Sequence, residues 1–358
     1  MSKNEKTLQR TFMHPTGPMD QSGLLVFCRK ALGLSESASL NLFPFEGRGS
    51  DRTFFRLKWN QKNSAILIHY DPKRIENTCY ADIATFLSEI DVPVPRLICH
   101  DPAGCLIIVE DLGDTDLWSF RNGPWETRRA LYQKTLTIMD KLHSFPEKKF
   151  PSDRVRLMDG FGPDLYRWER NYFRDHFVRD VCGIELEPSY ERELEAELSG
   201  MAGRLEGTRR SLVHRDLQSQ NVMIRNGEPF LIDFQGMRFG SSFYDLGSLL
   251  CDPYVHFSDR ERQELLSFYY ELSKRGLDWA TFQTYFWEAS AQRLMQALGA
   301  YGFLGLKKGL KAFLDHIPDG LHNLQLAAAQ AASLPRLLDL SLACRSAIRK
   351  NRMDEGRS

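Results

Sequence analysis

LVHRDLQSQNVMIRNGEPFLIDFQGMRFGSSFYDLGSLLC, residues 212–251, is the stretch of sequence that decides the fold prediction. Two apolar runs within it, 221–225 and 229–234, have the composition of β-strands. The dipeptide Asn226-Gly227 between them is a strong signal for a two-residue hairpin turn. We therefore predict a short hairpin built from these two runs.

Three polar residues flank the predicted hairpin. Asp216 follows His214-Arg215 and precedes Asn221, and Asp233 stands near the end of the second run. Because the hairpin brings these positions to its rim, we expect the three side chains to converge on one point. Phosphoryl transfer from ATP needs a carboxylate that orients the acceptor hydroxyl and takes its proton, and further oxygens that hold Mg²⁺. The pattern predicts Asp216 as the base and Asn221 and Asp233 as Mg²⁺ ligands.

The spacing H-R-D-L-x-x-x-N followed by D-F matches the catalytic and metal-binding signature of protein kinases, except that Gln235 replaces Gly. This arrangement resembles the aminoglycoside phosphotransferase-like small-molecule kinases. It is most similar to the bacterial kinases that phosphorylate N-acetylmuramate and N-acetylglucosamine at the anomeric hydroxyl. The resemblance covers most of the chain, from Gly47 to about Gly305, and implies ATP and Mg²⁺ as cofactors. The expected function is therefore phosphorylation of a cell-wall amino sugar.

The fold class that this resemblance implies is α+β. We expect a bilobal protein-kinase-like fold, with a small β-rich N-terminal lobe at 1–112 and a larger, mostly helical C-terminal lobe at 113–358. The length of 358 residues suits two parts with sizeable cores. Beyond the hairpin the pattern is helical, apart from the glycine-dense segment 299–305, which is predicted to be a loop.

A glycine-rich turn is predicted to cover the nucleotide phosphates. Gly47, Gly49 and Ser50 lie between two strand-like segments, and glycines let backbone N–H groups approach phosphate oxygens closely. An ordinary glycine hairpin would explain this G-x-G on its own, but a kinase needs a phosphate-covering loop before its catalytic loop. In the resembled family the glycines are followed by Ser, Arg and an aromatic residue, which here are Ser50, Arg52 and Phe54.

Two further positions concern the nucleotide. Glu110 and Leu112 are predicted to lie in an extended crossover that presents its main chain to the adenine edge. Protein kinases also carry a strand Lys that contacts the α- and β-phosphates. The corresponding strand here, 64–70, has Ile68 or His69 at that position. This departs from the protein-kinase pattern, whereas the amino-sugar kinases tolerate other residues there.

The acceptor-binding residues are predicted from polarity near the motifs. A polar sugar needs hydrogen-bonding side chains, and an arginine would pair with a carboxylate such as the lactyl group of N-acetylmuramate. Surface salt bridges explain these arginines equally well. The candidates are Gln218, Gln235, Arg238, Asp252 and Arg293. Trp168, Glu169 and Tyr172 are weaker candidates, because an aromatic helix stripe is more often core.

Two supporting residues are also predicted around the catalytic loop. Asp245 is expected to hold this loop through backbone N–H groups, and His214 is expected to anchor it near Asp233.

Other functions fit the same motifs. The acceptor would then be another small alcohol, such as an aminoglycoside, choline or an amino-acid hydroxyl. The arginines near the motifs count against a cationic acceptor. A nucleotide-binding pseudokinase is supported by the missing strand Lys alone and opposed by the intact Asp216, Asn221 and Asp233. A protein kinase is disfavoured because the stretch between Asp233 and Asp245 lacks a long activation segment.

Composition narrows the class of partner. The 47 basic and 47 acidic residues balance, which gives no indication of a nucleic-acid or membrane partner. No apolar run approaches the roughly 18 residues of a membrane span, and the first residues do not resemble a secretion signal. The 7 cysteines form no C-x-x-C pair, so buried free thiols in a reducing cytoplasm are expected. We expect a cytoplasmic monomer that acts on a small-molecule sugar.

Overall fold

The structure is a computed structural model that describes residues 13–14, 17–18, 21–45, 52–60, 63–274 and 276–355. The chain divides into two compact units. The first comprises Met1–Thr85 and Pro95–Asp111, and the second comprises Phe86–Val94 and Leu112–Ser358. The division into lobes 1–112 and 113–358 stays a prediction, and each unit is described by itself.

The first unit is built on an antiparallel sheet. The strands of this unit are β1 (Met13–His14), β2 (Gly17–Pro18), β3 (Leu40–Phe45), β4 (Thr53–Trp59), β5 (Asn63–His69), β6 (Leu97–Asp101) and β7 (Leu106–Glu110). Its helices are α1 (Gln21–Ala31), α2 (Ile75–Thr78) and α3 (Tyr80–Glu89), which continues into the second unit. The described strands form one five-stranded sheet in the order β3-β4-β5-β7-β6, and β1 pairs with β2.

Alternation along the strands builds the core of the first unit. Phe55 and Leu57 of β4 are both buried and separated by one residue, so they lie on the same face of the sheet. Leu24 and Cys28 of α1 belong to the same buried cluster. The helix therefore covers one face of the sheet, and the intervening residues of β4, such as Arg56, lie on the other.

The second unit is mainly helical. Its helices are α4 (Trp125–His143), α5 (Pro163–Phe173), α6 (Pro188–Glu206), α7 (Phe243–Leu250), α8 (Asp259–Ser273), α9 (Trp279–Gly302), α10 (Ile317–Gln330) and α11 (Pro335–Glu355). Its strands β8 (Arg210–Val213), β9 (Val222–Arg225), β10 (Glu228–Leu231) and β11 (Arg238–Ser241) form two antiparallel pairs, β8 with β11 and β9 with β10. A β-rich first unit followed by a helical second unit confirms the predicted α+β class.

The prediction of a loop at 299–305 is wrong, because this segment is helical. α9 runs to Gly302 and continues as a π-helix over Phe303–Lys307. A Cβ atom on Gly299 would lie 2.9 Å from the main-chain oxygen of Tyr172 in α5. The glycine thus allows two helices to approach closely, which is a packing role that resembles a loop signal in the sequence.

The cysteines are all free thiols, and all but the partly exposed Cys99 are buried, as predicted. Within the part of the chain that the structure describes, no helix has the length and apolar character needed to span a bilayer.

Candidate active site

The hairpin at the centre of the prediction is present. β9 and β10 pair with Glu228 opposite Arg225, and the turn residues Asn226 and Gly227 have φ angles of 53° and 75°. Positive φ at both positions is the geometry that an Asn-Gly hairpin turn requires. The second strand is shorter than predicted, because β10 ends at Leu231.

Asp233 explains why the strand does not continue. Its backbone is left-handed, with φ 63° and ψ 31°, and a 3-10 turn follows over Phe234–Gly236. Such a conformation is uncommon outside glycine and is tolerated best by Asp and Asn. The turn takes the Asp233 carboxylate out of the strand direction, so the predicted strand over 229–234 is wrong at its end.

Asp245 of α7 fixes the start of the catalytic loop. Its carboxylate accepts hydrogen bonds from the backbone N–H groups of His214 (2.7 Å) and Arg215 (2.8 Å) and is bonded to Nε2 of His143 (3.0 Å). These bonds hold Arg215 at φ 79°, a strained conformation for a residue with a side chain. His214 in turn bonds the C=O of Ile232 through Nε2 (2.9 Å). The predicted supporting contacts of Asp245 with the loop are confirmed.

Asp252 fixes the other end of the loop. This fully buried carboxylate accepts hydrogen bonds from the backbone N–H groups of Ser219 (2.7 Å) and Tyr254 (3.0 Å). Burial raises the pKa of Asp252 to about 6, although the hydrogen bonds from Ser219 and Tyr254 oppose the shift. Both carboxylate oxygens therefore hold main-chain groups, and an acceptor contact of Asp252 stays a prediction.

Asp216, Asn221 and Asp233 lie on one connected piece of structure. The side-chain Nδ2 of Asn221 donates to the C=O of Asp216 (2.8 Å), which leaves the amide oxygen of Asn221 as its acceptor atom. The backbone N–H of Ile232 donates to the C=O of Asn221 (3.0 Å) and so joins the residue before Asp233 to the loop. Nε2 of Gln235 donates to Oδ1 of Asp233 (3.0 Å).

The donor chemistry of Asn221 and Asp233 fits Mg²⁺. An amide oxygen and a carboxylate are hard oxygen ligands, and Mg²⁺ is commonly held by one or two carboxylates together with substrate phosphates. No group of three or more His, Cys, Asp or Glu side chains in the described ranges is arranged to hold a metal ion.

Arg293 of α9 pairs with Asp216. Its Nη2 lies 2.5 Å from Oδ1 of Asp216, its Nη1 donates to Oε1 of Gln296 (2.5 Å) and its Nε donates to Oγ of Ser248 (3.3 Å). Only 7% of Arg293 is exposed, whereas the Asp216 side chain is 39% exposed. Burial disfavours the charged guanidinium, but Asp216, Tyr244, Tyr301 and Glu169 together more than offset this, and the pKa of Arg293 is raised.

A buried carboxylate of α5 belongs to the same neighbourhood. Glu169 is fully buried and accepts hydrogen bonds from the hydroxyl of Tyr244 and from Nε2 of Gln292, both at 2.9 Å. Burial raises the pKa of Glu169, and the positive charge of Arg215 opposes that shift. Trp168, by contrast, is half exposed. Glu169 thus bonds protein groups on both of its oxygens, and an acceptor contact of Glu169 stays a prediction.

The remaining acceptor candidates differ in exposure. Gln218 is partly buried, and its C=O accepts the backbone N–H of Asn221 (2.9 Å). Gln235 and Arg238 are buried. Nε of Arg238 donates to the C=O of Gly236 (3.1 Å), and its guanidinium lies 5.4 Å from the ring centroid of Phe161. Among these three candidates, Gln218 is the one that is not buried.

The predicted phosphate loop lies largely outside the described residues. This applies to Gly47, Gly49 and Ser50. Arg52 is described, and its guanidinium lies 5.4 Å from the ring centroid of Phe54. The roles of these residues stay predictions.

The predicted adenine-binding segment begins at the end of β7. Glu110 is the last residue of this strand, and its N–H donates to the C=O of Arg96 (2.9 Å). Leu112 is buried and begins the next part of the second unit. Their contact with adenine stays a prediction.

An ion pair in the first unit escaped the sequence analysis. Arg56 of β4 binds Asp111 through Nε (2.8 Å) and Nη2 (3.2 Å). Ile68 of β5, one of the two candidates for the missing Lys position, is buried. Arg56 stands opposite Ile66 on the neighbouring strand. The sequence does not show which strands are neighbours, so the pairing of Arg56 with Asp111 is seen only in the structure.

The elevated pKa of Asp252 predicts a pH effect on stability. Between its ordinary value of 3.8 and about 6, the folded protein holds this proton while the unfolded chain has released it. Below pH 3.8, the pKa in the unfolded chain, the stability that the proton contributes is fully present. It is lost, at about 1.4 kcal/mol per pH unit, as the pH rises through about 6, the pKa in the folded protein. We expect the unfolding free energy of wild type minus that of Asp252→Asn to fall by about 3 kcal/mol over this range. Urea titrations at several pH values measure it, and a constant difference would contradict the prediction.

Comparison with known proteins places this site in a family. Residues 42–285 match the phosphotransferase enzyme family, APH. A protein of Neisseria meningitidis serogroup B named N-acetylmuramate/N-acetylglucosamine kinase is 23% identical over 294 residues, 81% of this chain and 86% of its own length. A Pseudomonas aeruginosa protein of the same name is 23% identical over 316 residues, 87% of this chain and 90% of its own.

Solved structures share the fold. A choline/ethanolamine kinase family protein from Mesorhizobium loti has a TM-score of 0.59 at 15% identity, with 90% of this chain and 99% of that chain covered. The ADP-bound aminoglycoside phosphotransferase APH(2'')-Ib has a TM-score of 0.57 at 14% identity, with 89% and 99% covered. These likenesses confirm the predicted protein-kinase-like fold. Because the family match covers well over half of the sequence, the chain belongs to the phosphotransferase enzyme family and is a phosphotransferase with an alcohol group as acceptor.

Proposed function

We propose that this protein transfers the γ-phosphoryl group of ATP to the anomeric hydroxyl of N-acetylmuramate or N-acetylglucosamine, in an Mg²⁺-dependent reaction. The observation that carries the proposal is the alignment, along most of both chains, with relatives named as kinases of these two sugars. We further propose that the reaction takes place in the cytoplasm and serves the recycling of cell-wall sugars.

Asp216 is proposed as the general base. Its carboxylate would orient the acceptor hydroxyl and receive its proton. As the bond between the acceptor oxygen and the γ-phosphorus forms, the bond from that phosphorus to the β–γ bridging oxygen breaks and ADP leaves. Positioning and charge neutralisation would supply most of the rate enhancement. The carboxylate is partly exposed on a loop held at both ends, which supports this role.

Asn221 and Asp233 are proposed to hold Mg²⁺ through the amide oxygen and the carboxylate. When bound, the ion would neutralise the negative charge that develops on the phosphoryl group. The hydrogen bond from Gln235 to Oδ1 of Asp233 would fix the orientation of this carboxylate. The hydrogen bond from Asn221 to the main chain of Asp216 would keep the metal ligand and the base in a constant relation.

The other site residues are proposed on the family resemblance. Nucleotide contacts are assigned to Gly47, Gly49, Ser50, Arg52, Glu110 and Leu112. Acceptor contacts are assigned to Gln218, Gln235, Arg238, Asp252 and Arg293. Gln218 has the strongest support among the latter, because its partly exposed side chain lies close to Asp216 in the chain.

An acceptor panel tests this function. The purified protein is incubated with ATP, Mg²⁺ and N-acetylmuramate, N-acetylglucosamine, gentamicin or choline, and ADP release is followed. We expect turnover of the two N-acetylated sugars, a phosphorus NMR signal for an anomeric phosphate, and no turnover when Mg²⁺ is chelated.

The methyl glycoside of N-acetylglucosamine is the matched control, because it lacks the anomeric hydroxyl and keeps the others. Its phosphorylation would refute the proposed position of transfer. Turnover confined to choline or gentamicin would refute the proposed acceptor and favour another small alcohol.

A further inference from the structure

We propose that Arg293 is a positioning residue that fixes the carboxylate of Asp216, so that Oδ2 of Asp216 faces the acceptor hydroxyl. The proposal rests on the proposed role of Asp216 as the base. It replaces direct acceptor binding by Arg293 with an action through Asp216.

The main chain and the carboxylate of Asp216 are held by different groups. Its main chain is held by the hydrogen bond from Asn221 to its C=O and by the bond from the preceding N–H of Arg215 to Asp245. These contacts hold the main chain and do not by themselves select the rotamer of the side chain. In the part of the chain that the structure describes, Arg293 is the hydrogen-bond partner found for the carboxylate, at Oδ1. The orientation of the base thus depends on this arginine.

The guanidinium of Arg293 is itself held by three hydrogen bonds. Nε, Nη1 and Nη2 each bond a different protein group, namely Ser248, Gln296 and Asp216. A planar guanidinium held at three edges by two helices and a loop has one orientation. Its charge persists, because Asp216 and the other acidic groups around it together offset the effect of burial on the pKa of Arg293.

One carboxylate oxygen of Asp216 remains for the substrate. Since Oδ1 of Asp216 is bonded to Arg293, Oδ2 is the oxygen available to orient and deprotonate an acceptor hydroxyl. In a loose phosphoryl-transfer transition state the carboxylate contributes mainly orientation, so a neighbouring cation is compatible with this role. Each of the three guanidinium nitrogens already bonds the protein, and this favours positioning over pairing with an acceptor carboxylate.

Variants of Arg293 test the proposal by steady-state kinetics. We expect Arg293→Gln to lower kcat by about 100-fold, because a misplacement of about 1 Å has effects of this size. We expect the KM values for ATP and acceptor to change less than about threefold, since an arginine that acts through Asp216 contacts neither substrate. Added guanidinium ion should restore part of the kcat of Arg293→Ala, because it supplies the missing cation to Asp216.

Arg170→Gln is the matched control. Arg170 of α5 is also buried and has partners of the same kind, Glu195 (2.8 Å) and Ser199 (3.2 Å) of α6. We expect this variant to lose stability without losing kcat. An equal loss of kcat in both variants, or no rescue by guanidinium, would show a merely structural role and overturn the proposal. A large rise in the acceptor KM of Arg293→Gln at unchanged kcat would overturn it in favour of direct acceptor binding.

Crystal structures of the wild type and Arg293→Gln supply a readout that needs no turnover. We expect one orientation of the Asp216 carboxylate in the wild type and a different or mixed orientation in the variant; an unchanged orientation would overturn the proposal. The kinetic ratios use whichever acceptor the wild type phosphorylates. If the wild type phosphorylates an acceptor other than the two proposed sugars, the proposed function is refuted. The role of Arg293 can still be measured with that acceptor.

Discussion

Asp216→Asn is expected to lower kcat for phosphoryl transfer by at least about two orders of magnitude. An amide has nearly the shape of the carboxylate, so its oxygen can still accept the hydrogen bond that Arg293 makes to Oδ1. It cannot accept the proton of the acceptor hydroxyl. The proposed metal ligands Asn221 and Asp233 are unchanged, so nucleotide affinity should stay within about threefold of wild type. Steady-state kinetics and calorimetric titration with ADP measure the two quantities.

Asp164→Asn is the control for this substitution. Asp164 lies in α5 with a fully exposed side chain, and its ion pair with Arg167 is long at 3.5 Å. The same chemical change there should leave kcat at the wild-type value. Turnover of Asp216→Asn close to that of the control would refute the assignment of Asp216 as the base.

Asp245→Ala should lower the free energy of unfolding by about 3 kcal/mol or more. The carboxylate is fully buried and accepts the N–H groups of His214 and Arg215. Its removal leaves the buried donor of His214 and the partly buried donor of Arg215 unpaired, and an unsatisfied buried donor has a penalty of about 1–3 kcal/mol. The strained backbone of Arg215 also loses the contact that holds it. Thermal and urea unfolding measure the loss.

Activity should fall together with stability in this variant, because Asp216 directly follows the two anchored residues. Asp245→Asn provides a graded comparison, since it keeps one acceptor oxygen and a similar volume. We expect its stability to lie between those of the wild type and Asp245→Ala. If Asp245→Ala unfolds like the wild type, the hydrogen bonds of Asp245 do not maintain the loop.

Local signals predicted the chemical part of the site. The Asn226-Gly227 turn needs positive φ at both positions, and the structure has a two-residue hairpin there. Asp245 was also predicted to support the loop, because it occupies a position after the hairpin where a buried carboxylate often binds loop N–H groups. The predicted strand end at Asp233 was wrong, since its left-handed backbone interrupts the run before the apolar residues end.

Distant partners could not be predicted from the pattern. Asp216 and Arg293 are 77 positions apart, and Arg56 and Asp111 are 55 apart. Such pairs depend on which helix faces or strand neighbours the tertiary structure brings together. The glycines at 299–305 illustrate the same limit: a glycine has one local signature whether it opens a loop or lets two helices touch.

By itself, the sequence predicted phosphoryl transfer, because the spacing of Asp216, Asn221 and Asp233 around a short hairpin is a local property. The fold class was also predicted, through the resemblance that these motifs carry. Only the tertiary structure decided the other partners: Asp252 at the far end of the loop, and Arg293 on the proposed base. The reason is physical, since the orientation of a side chain depends on the groups packed around it, and these come from remote parts of the chain.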